Sequence, residues 1–408
     1  MVVVFLSGSA QLGGAELCLL DMLSVLRRAH PDWTSYVIAP DDGPLFERAA
    51  RLGSRVTVLP FPRTLRELGD SGASIDIRSI SRLIAGSVAA ASYLLRLAGV
   101  IRKLQPTVIH SNSLKMHVLA ALTKPHGAKL VWHMHDYLSS RPLMRRVLPL
   151  LSSRAEALVA VSENVAEDLK SIIRDRSVTV IHNSVDLDQF SPRGRTADLD
   201  KLCGLRIAGP GTVRVGLIAT MAWWKGHRIF LEAIGKLDPR LAVRAYFIGG
   251  EIYRTKSHQE SIADLKSYAE ELGIARRVGF AGFIADPAEA IRGLDIAVHC
   301  STRPEPFGRV IIEAMACGKP VISSGLGGAA EILSCGDFSR RYDGTAAGLA
   351  QAISSLATDP AERTRLGTNG LKVARASFAR DGLAVQLISV YEIAHRSRPI
   401  SEFAMVAP

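Results

Sequence analysis

Seven short runs rich in Val, Ile and aromatic residues punctuate the first half of the chain: 2–7, 36–40, 55–61, 107–112, 129–135, 157–162 and 178–183. Each is nearly continuous in apolar character, and helix-length segments separate most of them. A strand that alternated apolar with polar residues would have one wet face. These runs instead predict strands buried on both faces, which is the mark of a parallel sheet covered by helices. After residues 189–211, a stretch with Pro, Gly and charge but no periodicity, the alternation restarts at 213–219, 243–249, 277–283, 295–300 and 319–324. The chain therefore predicts an α/β protein with two doubly wound, Rossmann-like domains in tandem. Ligands of such folds bind at the carboxyl ends of the strands, here expected in a deep cleft with the two domains facing each other. The boundaries expected are 1–190 for the first domain, 191–211 for a linker and 212–377 for the second domain, with a last helical stretch over 378–408.

The length of 408 residues suits two cores rather than one. Lys and Arg exceed Asp and Glu by 11, spread evenly along the chain. That excess favours anionic partners such as phosphates or an acidic membrane face, and equally suits a solvated basic surface. Five scattered cysteines with no C-x-x-C pair argue against a disulfide framework and against a zinc site, so a reducing, cytoplasmic setting is expected. The first residues read as a strand rather than a signal peptide. The apolar run 83–95 is too short to span a bilayer.

Several motifs compete with plainer readings. The turn from Gly8 to Glu16 lacks the Lys of a P-loop and the second Gly of a dinucleotide fingerprint. It retains a glycine pair, Gly13 and Gly14, before a helix whose N–H groups can face an anion. A plain tight turn is the competing reading. The triplets Asp186-Leu-Asp188 and Asp198-Leu-Asp200 resemble cation-holding D-x-D motifs, but lie beside the expected linker, and no metal is expected there. His133 and His135 are expected to point to opposite faces of their strand and so not to chelate together. His135 is the candidate to enter the cleft, against a structural histidine as the alternative. Lys225, after Trp223 and Trp224, can place a compact positive charge on a phosphate.

The block Glu305-Pro-Phe-Gly-Arg-Val-Ile-Ile-Glu313 carries two carboxylates eight residues apart. A helix beginning near Pro306 would separate them by about 12 Å of rise, poor geometry for a hydrolytic pair. The helix start suits a diphosphate. Glu305 would stand beside the attached group, and Glu313 could take hydrogen bonds from a ribose. The implied ligand is a nucleotide-sugar.

Taken with Gly13-Gly14-Ala15-Glu16, His135-Asp136, the run 181–186, Trp224-Lys225-Gly226, Gly282-Phe283, Gly318-Lys319-Pro320 and Gly327-Gly328-x-x-Glu331, this block resembles the retaining GT-B glycosyltransferases of family 4 (group 1). The resemblance implies sugar transfer from a UDP- or GDP-sugar to a sugar, lipid-linked or small-molecule acceptor, with no cofactor or metal and no nucleic acid, in glycan, polysaccharide or glycoconjugate biosynthesis. It implies catalytic roles for Glu305, Lys225 and His135. Donor contacts fall to Gly14, Thr220, Gly282, Phe283, Ile284, Pro306, Phe307, Gly308 and Glu313, and acceptor-side positions to Gly13, Glu16, Asn112 and Lys115. The last helix is implied to cross back to the first domain, and Asp186 to be structural. One departure stands out: the family commonly has Arg five residues before this Lys, where Thr220 stands here, so a bidentate clamp on the diphosphate is missing.

A sugar-nucleotide epimerase and a non-catalytic nucleotide-sugar-binding protein are the other readings. Peripheral contact with an anionic membrane through Arg78, Arg82, Arg96, Arg102, Lys103, Arg141, Arg145 and Arg146 competes with an ordinary helix face carrying snorkelling arginines, which is preferred.

Overall fold

The computed structural model describes residues 1–62, 80–250 and 259–396, apart from the side chains of 80–87, 395 and 396. Arg78 and the side chain of Arg82 fall outside the described residues. The chain divides into two units, Met1–Ile181 together with the chain from Leu383, and His182–Gly382.

The first unit holds seven parallel strands: β1 (Val2–Leu6), β2 (Thr34–Ala39), β3 (Arg55–Val58), β4 (Val108–Ser111), β5 (Lys129–Met134), β6 (Ala157–Ala160) and β7 (Val178–Val180), in the order β3-β2-β1-β4-β5-β6-β7. Strand order reverses between β1 and β4, whose registers join Val3 to Val108 and Leu6 to Ser111. The loops after these two strands therefore diverge and leave a crevice, where such sheets take ligands. Val3, Phe5, Val108, Val131 and Val159 are buried on one side of the sheet with Leu19, Leu23 and Leu26 of the helix Gly14–Ala29. Leu383, Leu387, Val390 and Tyr391, from the last helix Arg380–Arg396, complete the same core.

The second unit repeats the plan with six parallel strands: β8 (Val213–Ile218), β9 (Val243–Ile248), β10 (Val278–Gly282), β11 (Ile296–His299), β12 (Val321–Ser323) and β13 (Ser339–Arg341), in the order β10-β9-β8-β11-β12-β13. Its switch point lies between β8 and β11, where Val215 pairs with Ile296. Val215, Leu217, Phe230, Phe247, Ile296 and Ile322 centre its core.

The expected boundary moves. The first unit closes at Ile181 rather than 190, and the expected linker 191–211 packs as part of the second unit. It contains the short helix Leu199–Leu202, whose Leu199 is buried with Tyr246, Ile248, Ala290 and Leu294. Asp200 beside it is bound by Arg244 and by the Tyr246 hydroxyl at 2.6 Å. Burial alone would raise the Asp200 pKa; Tyr246, the Ala208 N–H and Arg244 outweigh it and hold it at about 2. Polar anchoring of one short turn leaves no hydrophobic period to read, which is why the segment looks like a linker. The last helix likewise begins at Arg380, and the chain joins the first unit from Leu383.

Among the described residues, no helix is long and apolar enough to cross a membrane.

Candidate active site

Because β8 and β11 are neighbours, the loops that leave their carboxyl ends run side by side. The Thr302 N–H donates to the Trp224 carbonyl at 2.7 Å, and the Cys300 thiol lies 3.4 Å from the Gly226 carbonyl. Gly226 turns the first loop with φ 77°, and a Cβ there would lie 2.0 Å from the Cys300 carbonyl oxygen. Only glycine meets both demands. A third loop, after β12, closes on the second: the Glu305 N–H donates to the Leu326 carbonyl at 3.2 Å and the Gly328 N–H to the Glu305 carbonyl at 2.7 Å. Glu305 is thus pinned by its backbone where three loops meet.

Its carboxylate gathers polar groups from these loops. Lys225 Nζ lies 2.5 Å from Glu305 Oε1, the Ser301 hydroxyl donates to the same oxygen, and His299 Nε2 is 3.7 Å away. Burial alone would raise the Glu305 pKa, but the Lys225 ammonium and the His299 contact outweigh it, so the carboxyl is held well below the usual range. His299 is itself oriented by Ser323 Oγ, 3.1 Å from Nδ1.

The helix expected to start near Pro306 starts at Arg309, after Gly308 with φ 103°. Pro306, Phe307 and Gly308 form its approach, and Glu305 belongs to a loop bridged to Gly327 instead of a helical turn. The two glutamates are therefore not related by helical rise. Phe307 is buried against His182 and Phe378, leaving its backbone rather than its ring for a ligand. Glu313, one turn into the helix, is buried, with Oε1 3.5 Å from Arg309 Nε. Thr220 follows β8, and its Oγ1 is buried without a hydrogen-bond partner. Two strands out from the switch point, Gly282 turns with φ 68°, Phe283 is exposed, and Ile284 packs against the Leu199–Tyr246 cluster, which makes its side chain structural.

In the first unit, Glu16 caps its own helix: Oε2 accepts the Gly13 N–H at 3.1 Å and Oε1 the Ser7 hydroxyl at 3.3 Å. Burial raises its pKa. This is a structural role, set against the acceptor-side expectation. A Cβ at Gly14 would meet no neighbour, so the fold itself does not require glycine there. Asn112, just past β4 at the switch point, is buried with both side-chain atoms lacking partners. Lys115 Nζ lies 5.9 Å from the Phe61 ring centroid.

The D-x-D triplets are structural. Asp186 binds Arg380 at 2.5 Å and the Asp188 N–H, while Asp198 caps the helix over Lys201. The expectation for His133 and His135 is corrected: residues two apart share a face of a strand, and their rings stand 4.3 Å apart. The membrane expectation loses Arg141, which binds Asp136 at 2.6 Å. The sequence missed Ser301 and His299 as partners of Glu305; their place beside it comes from the loop's course.

A family model described as Glycosyltransferase Family 4 matches residues 12–189, and one described as Glycosyl transferases group 1 matches residues 211–373. The chain is similar to the lipopolysaccharide core biosynthesis mannosyltransferase LpcC of Rhizobium leguminosarum bv. viciae, 30% identical over 244 residues, 59% of this chain and 65% of that one. It is also similar to a D-inositol 3-phosphate glycosyltransferase of Stackebrandtia nassauensis, 31% identical over 265 residues, 61% of this chain and 56% of that one. The chain thus spans less than two thirds of the length of these curated relatives. The crystal structure of HepE from Anabaena in complex with UDP-glucose superimposes with a TM-score of 0.78, at 25% identity, covering 96% of this chain and 99% of that one.

Proposed function

The chain belongs to the GT-B glycosyltransferases of family 4 (group 1), and from that premise we propose that it transfers a sugar from a nucleoside diphosphate sugar to a hydroxyl acceptor with retention of configuration. The reading rests on one observation: at the switch point of the second unit, the ammonium of Lys225 and the carboxylate of Glu305 meet beside the helix start at Gly308. A donor of this kind has a polar sugar next to a diphosphate, and the two side chains complement those two parts.

In the proposed reaction the bond from the anomeric carbon to the β-phosphate oxygen breaks and a bond to the acceptor oxygen forms on the same face. The acceptor proton passes to the departing phosphate, and the nucleoside diphosphate leaves. Lys225 shifts from Glu305 to the phosphate and, with the amides preceding Arg309, stabilises the growing negative charge. Glu305, kept ionised, accepts hydrogen bonds from sugar hydroxyls and orients the ring. Glu313 is assigned the ribose. Lys225 and the helix start supply the positive charge, so no divalent cation is invoked on the diphosphate.

HepE bound to UDP-glucose supports a UDP-sugar donor, and the lipopolysaccharide relative supports a glycan or glycoconjugate acceptor.

A panel of labelled nucleotide-sugars, incubated with the chain with and without acceptors in chelator, tests the proposal. Acceptor-dependent nucleotide release with a retained anomer supports it. Isomerised donor without acceptor would make the chain an epimerase, and binding without turnover across the panel a nucleotide-sugar sensor.

A further inference from the structure

Cys18, His133 and His135 each bring one ligand atom into a group in which all three atoms lie within 4.8 Å of one another. Cys18 comes from the helix Gly14–Ala29, while His133 lies in β5 and His135 just beyond its end. Cys18 and His133 are buried. The diphosphate chemistry proposed above uses neither of them.

The hydrogen bonding behind His133 gives the cluster a direction. His133 Nδ1 lies 3.2 Å from His110 Nε2, and His110 Nδ1 lies 3.0 Å from the Tyr391 hydroxyl. Both nitrogens of His110 are therefore engaged. His133 Nε2 is buried and has no hydrogen-bond partner, an arrangement that costs the fold the desolvation of that nitrogen. If Nδ1–H of His133 donates to His110, and Nδ1–H of His110 to the Tyr391 oxygen, both imidazole protons are placed and Nε2 of His133 keeps its lone pair. A ligating imidazole backed by a hydrogen bond to its other nitrogen has this form.

We propose that Cys18, His133 and His135 form a binding site for a zinc-like divalent cation, with His110 and Tyr391 orienting His133 from behind. One thiolate and two imidazoles suit Zn²⁺, with a fourth position left to water; with no carboxylate among them the set is poor for Mg²⁺ or Ca²⁺. Ligand atoms around tetrahedral zinc lie about 3.3–3.7 Å apart for the usual bond lengths. The three side chains need to close by about 1 Å, which small χ rotations supply. On ligation the Cys18 thiol gives its proton to solvent and the cation gives up hydration water. The site is separate from the D-x-D triplets and needs no sugar transfer to exist.

The full chain, stripped with chelator, is titrated with Zn²⁺ against a chromophoric competitor, and separately with Co²⁺, in the absence of nucleotide. One equivalent is expected to bind in competition, with a thiolate-to-cobalt charge-transfer band. Cys18→Ala should remove the band and His135→Ala weaken binding at least tenfold, whereas Cys335→Ala leaves both intact. Cys18→Ser replaces Cys18→Ala if the latter fails to unfold cooperatively. A charge-transfer band that survives in the Cys18 variant, or a wild-type chain that takes up no metal at micromolar Zn²⁺, overturns the site. Because no turnover is measured, a chain without transferase activity would give the same reading.

Discussion

Lys225 and Glu305 stand 80 residues apart in the chain and 2.5 Å apart between Nζ and Oε1. Adjacent strands, β8 and β11, carry their loops to one place, and the ammonium waits on a carboxylate rather than in water. If Lys225 meets the diphosphate in the transition state more strongly than in the ground state, Lys225→Ala lowers kcat by about 10²–10³ and donor affinity far less. Steady-state kinetics with direct donor titration checks this. Equal loss in both would move Lys225 to a binding role.

Thr220 carries a buried hydroxyl oxygen with no partner where the family commonly has Arg. Thr220→Val removes the orphan without changing shape. Folding stability is expected to hold or rise, because the unsatisfied group costs about 1–3 kcal/mol. If the hydroxyl meets the donor, affinity for UDP-glucose falls in the same variant. Denaturant unfolding and nucleotide-sugar titration on one preparation separate the two effects.

Gly226 sits at φ 77° with the Cys300 carbonyl against the position of a Cβ. Gly226→Ala is expected to destabilise the second unit by about 2 kcal/mol or more, since both the backbone region and the space oppose a side chain. Activity should fall with it, because this turn carries Lys225. Urea unfolding measures the first and nucleotide release the second.

Asp200 is buried among Arg244, Arg214 and Tyr246. Asp200→Asn leaves Arg244 and Arg214 without their anion and is expected to cost about 2–3 kcal/mol. Equilibrium unfolding should show the loss, and a segment acting only as a linker would show none.

Burial pushes the His117 pKa down to about 3 and that of His227 to about 4. Both are neutral in the folded chain at pH 7. Below about pH 6.5 the unfolded chain takes up protons that the folded chain refuses, so their contribution is full above that pH and declines as pH falls toward 4 and 3. At pH 5 each histidine should cost about 2 kcal/mol relative to pH 7. Denaturant unfolding at the two pH values gives the difference.

The apolar runs behind β1 to β12 are legible in the sequence because a strand buried on both faces must be apolar along its own length, although the edge strands do not fulfil that burial: Val56 and Val58 of β3 are exposed and no residue of β7 is fully buried. So are the glycine turns beside Lys225 and Gly308, since positive φ selects the residue locally. β13, Ser339–Arg341, is not legible: an edge strand of polar residues carries no such pattern. Nor is the packing of 191–211, which depends on ion pairs from Asp200 to Arg214 in β8 and Arg244 in β9. The candidate site divides in the same way. Residue types and spacing offered Lys225, Glu305 and His135 as candidates, and the resemblance to the family implied their roles. Only the sheet order, which makes β8 and β11 neighbours, set Lys225 against Glu305. Only the packing of the helix Gly14–Ala29 brought Cys18 to His133 and His135. Strand character is a property of neighbours in the chain, whereas contact between loops depends on which strands lie side by side.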